Sequence, residues 1–314
     1  MPRYLITGGA GFIGSHLVRE LVSRGEEVRV LDNFVTGKRE NLLSGTQAPE
    51  MFVGSVDDPT LVNQAMQGVE FVLHQAALGS VPRSVEDPLA SHAANLTGTL
   101  VLLEAAKRAG VRRFVYASSS SVYGDTPQLP KHEGLPTVPL SPYAVTKLGG
   151  ELYCGVFHRL YGLQTVSLRY FNVFGPGQSP DSQYAAVIPR FMTAVSRSES
   201  PVIYGDGKQS RDFTYIDNVV HANLLSCTAP SAAAGQAFNI ACGESFTLLD
   251  LLREMGEISG RSVQPRFEAT RTGDVRDSLA AIDKARKLLG YEPAVPFHEG
   301  LRRTLHSAGM KRSG

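Results

Sequence analysis

Short apolar runs alternate with longer stretches of helical periodicity through the first half of the chain. Residues 4–7, 28–32, 51–53 and 114–117 read as buried strands, as do Phe71–His74 and Thr165–Tyr170. Between the first two strands, Phe12–Ser23 carries apolar residues at helical spacing. Longer helices are predicted over residues 89–109, stopped by Gly110, and over residues 143–161. Such alternation means right-handed crossovers and a parallel sheet with helices on both faces. The fold class is α/β, with a Rossmann-like doubly wound parallel sheet.

The texture changes after Asn172. Gly175-Pro176-Gly177 opens a turn-rich region that includes Pro180, Pro189, Pro201, Gly205 and Gly207. Helical patterns persist over Val187–Ser196 and over residues 218–227 and 248–258. Ala237-Phe238-Asn239-Ile240-Ala241 reads as one more buried strand, placed to rejoin the main sheet. The predicted organisation is a first domain over residues 1–172, with a return segment near 212–241. A smaller, discontinuous α/β domain over 173–314 would cover the sheet's carboxyl edge.

Of the 314 residues, 42% are hydrophobic, enough for a substantial core. The formal net charge of +1 argues against a nucleic-acid groove or a surface built for anionic membranes. No uninterrupted apolar run reaches the length of a membrane span, and the first strand starts too early for a signal peptide. Cys154, Cys227 and Cys242 lack the spacing of a disulfide framework or a zinc site. They read as buried, inert thiols, and no metal is expected. The implied setting is reducing and cytoplasmic, with no nucleic-acid or membrane partner.

Candidate chemistry gathers at the strands' carboxyl ends. Gly8-Gly9-Ala10-Gly11-Phe12-Ile13-Gly14 joins the first strand to the first helix. In such a motif Gly8 makes the tight turn, Gly11 admits a pyrophosphate, and Gly14 lets helix and strand pack closely. The helix N-terminus then offers backbone N–H groups to the phosphates. Asp32 ends the second strand, where a carboxylate accepts both ribose hydroxyls. It would repel a 2′-phosphate, which favours NAD over NADP, with Arg39 as a nearby opposing cation. Ser118-Ser119-Ser120-Ser121 places hydroxyls at the end of the fifth strand. In Ser141-Pro142-Tyr143-Ala144-Val145-Thr146-Lys147, Tyr143 and Lys147 share one helix face, about one turn apart. An ammonium held there favours the phenolate and draws a phenol from its ordinary pKa of about 10 toward neutrality. Ser141 and Pro142 are suited to N-cap and open that helix. Gly149 and Gly150 inside it cost about 1 kcal/mol each against alanine, a loss that close packing would offset.

Together these elements resemble the extended short-chain dehydrogenase/reductase family, in its nucleotide-sugar epimerase/dehydratase branch, over nearly the whole chain. The marks are the glycine turn, Asp32, His74-Gln75-Ala76-Ala77, Asn95, Ser119, the Tyr143/Lys147 pair, the run from Arg169 to Gly177, and Gly205-Asp206-Gly207 with Arg211-Asp212-Phe213. The resemblance implies NAD held by Gly8, Gly11, Phe12, Ile13, Gly14, Asp32, Asn33, Ser55, Val56, Gln75, Ala76, Ala77, Asn95 and Phe171. Ser55 departs from the family, which usually has Asp there for adenine; serine can still hydrogen-bond. The resemblance also implies Tyr143 as acid/base, Lys147 on the nicotinamide ribose and the phenolate, and Ser119 on the reacting sugar hydroxyl. Substrate contacts carried over are Ser80, Ser120, Ser121, Asn172, Ala186, Val187, Tyr204, Arg211, Arg271, Asp274 and Ser278. Among these, Asn172, Arg211 and Arg271 would hold a nucleotide diphosphate, and Tyr204 would line a uracil pocket. The first domain would bind NAD and the second the nucleotide sugar. A homodimer is implied, through a four-helix bundle of the helix before Gly110 and the Tyr143 helix.

The resemblance also ranks reactions. Dehydratases of the branch carry Asp-Glu directly after the catalytic hydroxyl residue, where this chain has Ser120-Ser121, so dehydration is disfavoured. Epimerisation at C4 of a UDP-sugar needs the fewest groups: Tyr143 takes the 4-hydroxyl proton, NAD+ takes and returns hydride, and a 4-keto sugar turns over between. Ser278 stands where some relatives have a bulky tyrosine beside the sugar's C2 group, which leaves room for an N-acetyl group. Ala185, Ala186 and Val187 add little bulk. The expected substrates are UDP-GlcNAc and UDP-GalNAc, with UDP-Glc and UDP-Gal also accommodated. The alternatives are a UDP-glucuronate 4-epimerase or decarboxylase and, in another class, a catalytically inactive NAD-binding regulator. The intact Ser119, Tyr143 and Lys147 argue against the last.

Overall fold

The computed structural model of the protein describes residues 3–42, 48–179, 186–270 and 275–311. Six strands follow one another in the first half: β1 (Arg3–Thr7), β2 (Glu27–Asp32), β3 (Glu50–Val53), β4 (Phe71–His74), β5 (Arg113–Ser119) and β6 (Thr165–Tyr170). Later come β7 (Val173–Phe174), β8 (Val202–Tyr204), β9 (Ser210–Arg211), β10 (Thr214–Tyr215), β11 (Gln236–Ile240), β12 (Phe246–Thr247) and β13 (Arg266–Glu268). The main sheet has seven strands in the order β11-β6-β5-β4-β1-β2-β3, all parallel. The strand order reverses between β1 and β4, and ligands of doubly wound sheets bind at the crevice this opens. β11 rejoins the sheet beside β6, with Gln236 opposite Val166.

Helices cover both faces, so the strands are apolar on both. Ile6, Leu73, Val115 and Leu168 point to one core, shared with α1 (Phe12–Ser23). Leu5, Val72, Phe114 and Tyr116 point to the other. That second core packs under α2 (Pro59–Ala65), α5 (Gly98–Ala109) and α6 (Pro142–Tyr161). Between α2 and α5 lie the short α3 (Val81–Glu86) and α4 (Pro88–His92). The single helix predicted over residues 89–109 is therefore α4 and α5 joined by a π turn at Ala93–Thr97. A π turn often marks a functional position, and here Asn95 lies within it. Gly110 closes α5 with φ 68°, the left-handed cap that the sequence calls for.

Beyond β6 come α7 (Val187–Ser196), α8 (Ile216–Thr228), α9 (Leu248–Ser259), α10 (Asp283–Leu289) and α11 (Phe297–Ser307). Three two-stranded ladders knit this part together: β7 with β10, β9 with β12, and β8 with β13. In the first, Val173 pairs with Thr214 and Phe174 with Tyr215. Cys154 and Cys227 are buried and Cys242 half-buried, and burial pushes each thiol up to about 12. Among the described residues no helix is long and apolar enough to cross a membrane.

Candidate active site

The turn after β1 builds the floor of the site. Gly8 takes φ 67°, and a Cβ there would meet the Ala76 backbone nitrogen at 2.7 Å. A side chain at Gly8 is thus excluded twice, by conformation and by space. Gly8 N–H donates to the Leu31 carbonyl and Gly11 N–H to the Gly8 carbonyl. No side chain caps α1 at Gly11, so its first-turn N–H groups are left for a ligand. Asp32, at the end of β2, is buried. Its carboxylate accepts from Ala10 N–H and Phe34 N–H, each at 2.8 Å. It therefore fixes the glycine turn while lining the same cleft. Arg39 lies over the Phe34 ring, its guanidinium carbon 4.4 Å from the centroid.

The cleft encloses about 460 Å³. Gly8, Gly11, Phe12, Ile13, Asp32, Asn33, Ser55, Val56, Gln75, Ala76 and Ala77 line it. Ser80, Tyr143, Lys147 and Ala186 line it as well. The glycine turn, the open helix terminus and the carboxylate at the end of β2 suit a dinucleotide. Gly14 lies behind, packed against the Gly8 carbonyl. Asn95 and Phe171, expected along the cofactor, are fully buried and outside the lining.

Asn95 shapes the cleft from behind. Its side-chain oxygen accepts from Leu78 N–H at 2.7 Å, and its amide donates to Thr146 Oγ1 at 3.1 Å. It so ties the loop after β4 to α6. A second buried chain runs alongside. Thr99 Oγ1 donates to the Asn95 carbonyl at 2.6 Å, so it must accept from His74 Nε2–H at 2.8 Å. His74 Nδ1 then accepts from Thr7 Oγ1 at 2.7 Å, and Thr7 accepts from Ala76 N–H. Burial, with Lys147 adding to it, holds His74 down to about 3 and therefore neutral.

The N-terminus of α6 sets the reacting groups. Ser141 caps it by accepting from Ala144 N–H at 3.2 Å, and Pro142 is its first residue. Tyr143 N–H donates to Ser84 Oγ of α3 at 3.0 Å. Lys147 is buried, and its Nζ donates to the Ala117 carbonyl at 2.8 Å. That nitrogen lies 5.9 Å from the Tyr143 ring centroid. Burial lowers Lys147 to about 8. It raises the Tyr143 phenol above its ordinary value, while the Ser119 hydroxyl beside it pulls the other way. An ammonium one turn away is expected from the sequence to draw the phenol toward neutrality; here desolvation is the largest influence and holds it above its ordinary value. Ser118 Oγ donates to Glu151, about two turns beyond Tyr143 on α6, and Ser121 N–H donates to Ser119 Oγ at 3.1 Å. Ser120 and Ser121 form the turn after β5, outside the cleft lining.

A second cavity of about 260 Å³ opens next to the first and shares Gln178 and Ala186 with it. Asn172, Val187, Tyr204 and Arg211 line it, with Arg190 and Gln209. Asn172 holds φ 35° and donates from its amide to the Asp212 carbonyl at 3.0 Å and to Ser278 Oγ at 3.3 Å. Asp212 is fully buried. Its carboxylate accepts from Cys242, Gly243 and Ala280 N–H, and burial pushes it up to about 7. Ala185, Arg271 and Asp274 lie outside the described residues.

The residue that sequence reasoning passes over is Gln178, which lines both cavities. Its amide donates to the Val173 carbonyl at 3.2 Å, and its Oε1 is buried without a donor among the described residues. His16 of α1 holds this loop, sharing a hydrogen bond of 2.9 Å with the Pro176 carbonyl. Arg83 and Arg190 also enter the cavity walls unforeseen. The turn glycines around Gln178 were the available signal.

Residues 4–241 match the model of the NAD dependent epimerase/dehydratase family. The chain belongs to that family. Among relatives, the UDP-glucose 4-epimerase of Mycolicibacterium smegmatis is 37% identical, over 96% of this chain and 97% of its own. Among solved structures, the UDP-N-acetylglucosamine 4-epimerase from Methanobrevibacter ruminantium M1, in complex with UDP-N-acetylmuramic acid, superposes with a TM-score of 0.93 at 38% identity, covering 98% of each chain. The UDP-glucuronic acid 4-epimerase from Bacillus cereus, in complex with UDP-glucuronic acid and NAD, gives 0.90 at 32% identity, covering 98% of this chain and 99% of its own. NAD is the cofactor of this epimerase/dehydratase family, and the cleft described above has the donors and the carboxylate to hold it.

Proposed function

We propose that the protein is an NAD-dependent UDP-sugar 4-epimerase whose preferred pair is UDP-GlcNAc and UDP-GalNAc. The observation that carries the sugar choice is Ser278: a small side chain whose Oγ accepts at 3.3 Å from the amide of Asn172, which lines the second cavity. Ala186, shared by both cavities, adds only a methyl group there. The Gln178 Oε1 at the same junction, without a donor among the described residues, suits a sugar hydroxyl or an amide N–H, since a phosphate has no hydrogen to give. UDP-Glc and UDP-Gal are turned over too, because a roomy pocket rejects smaller sugars weakly.

In this reading NAD, when bound, supplies the capacity to oxidise and re-reduce C4. Tyr143 removes and returns the 4-hydroxyl proton, and Ser119 orients that hydroxyl. Lys147 adds positive charge beside the phenolate. Tyr204 and Arg211 hold the nucleotide in the second cavity, and Arg271 joins them on the diphosphate. The sugar turns its other face to the cofactor between the two half-reactions.

A UDP-uronate is the second reading, and the observation favouring it is the cation of Arg83 in the cleft wall. Incubation with a panel of UDP-sugars, resolved by NMR, separates the two. UDP-GlcNAc should be converted, and Ser278→Tyr should cut its turnover more than about tenfold while sparing UDP-Glc. Rapid conversion of UDP-glucuronate with none of UDP-GlcNAc would overturn the sugar assignment.

We also propose a homodimer. The outer faces of α4 and α6 carry Leu89, Val145 and Leu152, which are 81%, 52% and 62% exposed. A second copy of the same stripe is the matching cover, in a four-helix bundle.

A further inference from the structure

Tyr143, Lys147 and Glu151 succeed one another at every fourth position of α6 and so share a face. The first two have roles above; Glu151 does not. It sits buried against Arg169, each side chain 7% exposed. Arg169 Nε donates to Glu151 Oε1 at 2.9 Å and Nη2 to Oε2 at 2.7 Å, a two-point grip. Ser118 Oγ donates to the same Oε1 at 2.5 Å.

Ser118 of β5 and Arg169 of β6 stand opposite one another in the strand register. One carboxylate therefore holds two neighbouring strands at the same level. Ser118 is flanked by Ala117, whose carbonyl takes the Lys147 ammonium, and by Ser119, which lies beside the Tyr143 phenol. Neighbouring residues of β5 thus meet α6 at successive levels, Ser118 at Glu151 and Ser119 at Tyr143. Any slide of α6 along β5 that broke the Glu151 grip would also carry the phenol away from Ser119.

Stability is a poor reason for this arrangement. Buried ion pairs seldom hold a fold better than well-packed apolar residues. Arg169 Nη1 is moreover buried without a partner among the described residues. What ions add is direction, because a two-point bond fixes position along the strand where apolar side chains slide.

We infer that Glu151 and Arg169 form a positioning pair that sets the register of Tyr143 and Lys147 against Ser119. The inference rests on the proposed epimerase reading. Its test is the double variant Glu151→Leu/Arg169→Met in the full-length, NAD-loaded protein. An apolar pair should keep the unfolding midpoint within a few degrees of wild type and leave NAD and UDP affinities unchanged. The kcat should fall roughly 10- to 100-fold, the range of a misplacement near 1 Å, with KM within about twofold. A folded double variant with wild-type kcat overturns the inference. Should it fail to fold, Glu151→Asp carries the test, keeping the charge and shortening the arm by one methylene. Lowered kcat at unchanged KM supports the pair, and unchanged kcat overturns it. Variants are compared with wild type on whichever UDP-sugar the wild type converts, so an error in sugar choice leaves the result intact. A wild type that converts none of them removes the epimerase reading and this inference together.

Discussion

Lys147 occupies its place against its own preference. Its ordinary pKa of 10.5 falls to about 8 on burial. Between those values the unfolded chain holds a proton at this site that the fold does not. Stability therefore rises with pH across that window, and below pH 8 the full cost applies, on the order of 3 kcal/mol. Lys147→Met should raise the unfolding midpoint at pH 7, measured by thermal melts in a pH series. The gain should shrink toward pH 10.5, while UDP-sugar turnover is lost at every pH. A lower midpoint at pH 7 would mean that its bond to the Ala117 carbonyl outweighs desolvation. At this scale much of the site is legible in the sequence, because the glycine turn, Asp32, Tyr143 and Lys147 announce themselves by local spacing. Glu151 and Asp212 do not. Their meaning depends on Arg169, 18 positions on, and on the Cys242 and Ala280 amides, 30 and 68 positions on. Gln178 stayed hidden likewise, since two cavities meet at it only in the fold.

Within α6 the two glycines have unequal reasons. A Cβ at Gly150 would run into the Tyr116 hydroxyl and ring, which are fully buried and cannot yield. At Gly149 it would meet Leu96 Cδ1 at 2.9 Å, the free end of a flexible side chain. Gly150→Ala should therefore destabilise by about 1–3 kcal/mol through overpacking. Gly149→Ala should be close to neutral, as its helix-propensity gain of about 1 kcal/mol offsets the shift of Leu96. Urea denaturation of both variants checks the contrast, and equal effects would refute it. Element by element, the buried strands and α6 follow from pattern because their periodicity runs over enough residues. With seven and six residues, α2 and α3 complete too few turns to show one. The π turn leaves no mark in the pattern, though Asn95 within it accepts from the Leu78 backbone, 17 positions back. In α11 the signal is present, since Phe297, Leu301 and Leu305 recur every fourth residue and are fully buried.

On the scale of the whole molecule, the exposed apolar stripe of α4 and α6 should be covered in solution. Light scattering should give twice the chain mass, and Leu152→Glu should halve it while leaving the fold intact by circular dichroism. A wild-type monomer at micromolar concentration would refute the bundle. The other large-scale feature is the neck formed by β7 and β10. The chain leaves the main sheet after β6, passes Val173, and returns at Thr214 directly beside it. β7 and β10 thus set the exit and the return of the chain side by side. The segment between them carries β8 and β9, whose partners β13 and β12 come later in the chain, so it changes together with them while the sheet that carries the glycine turn stays as it is. It brings Gln178, Ala186, Tyr204 and Arg211 with it and leaves Asp32 and Tyr143 where they are. The residues that line the second cavity can therefore vary while those of the glycine turn stay as they are.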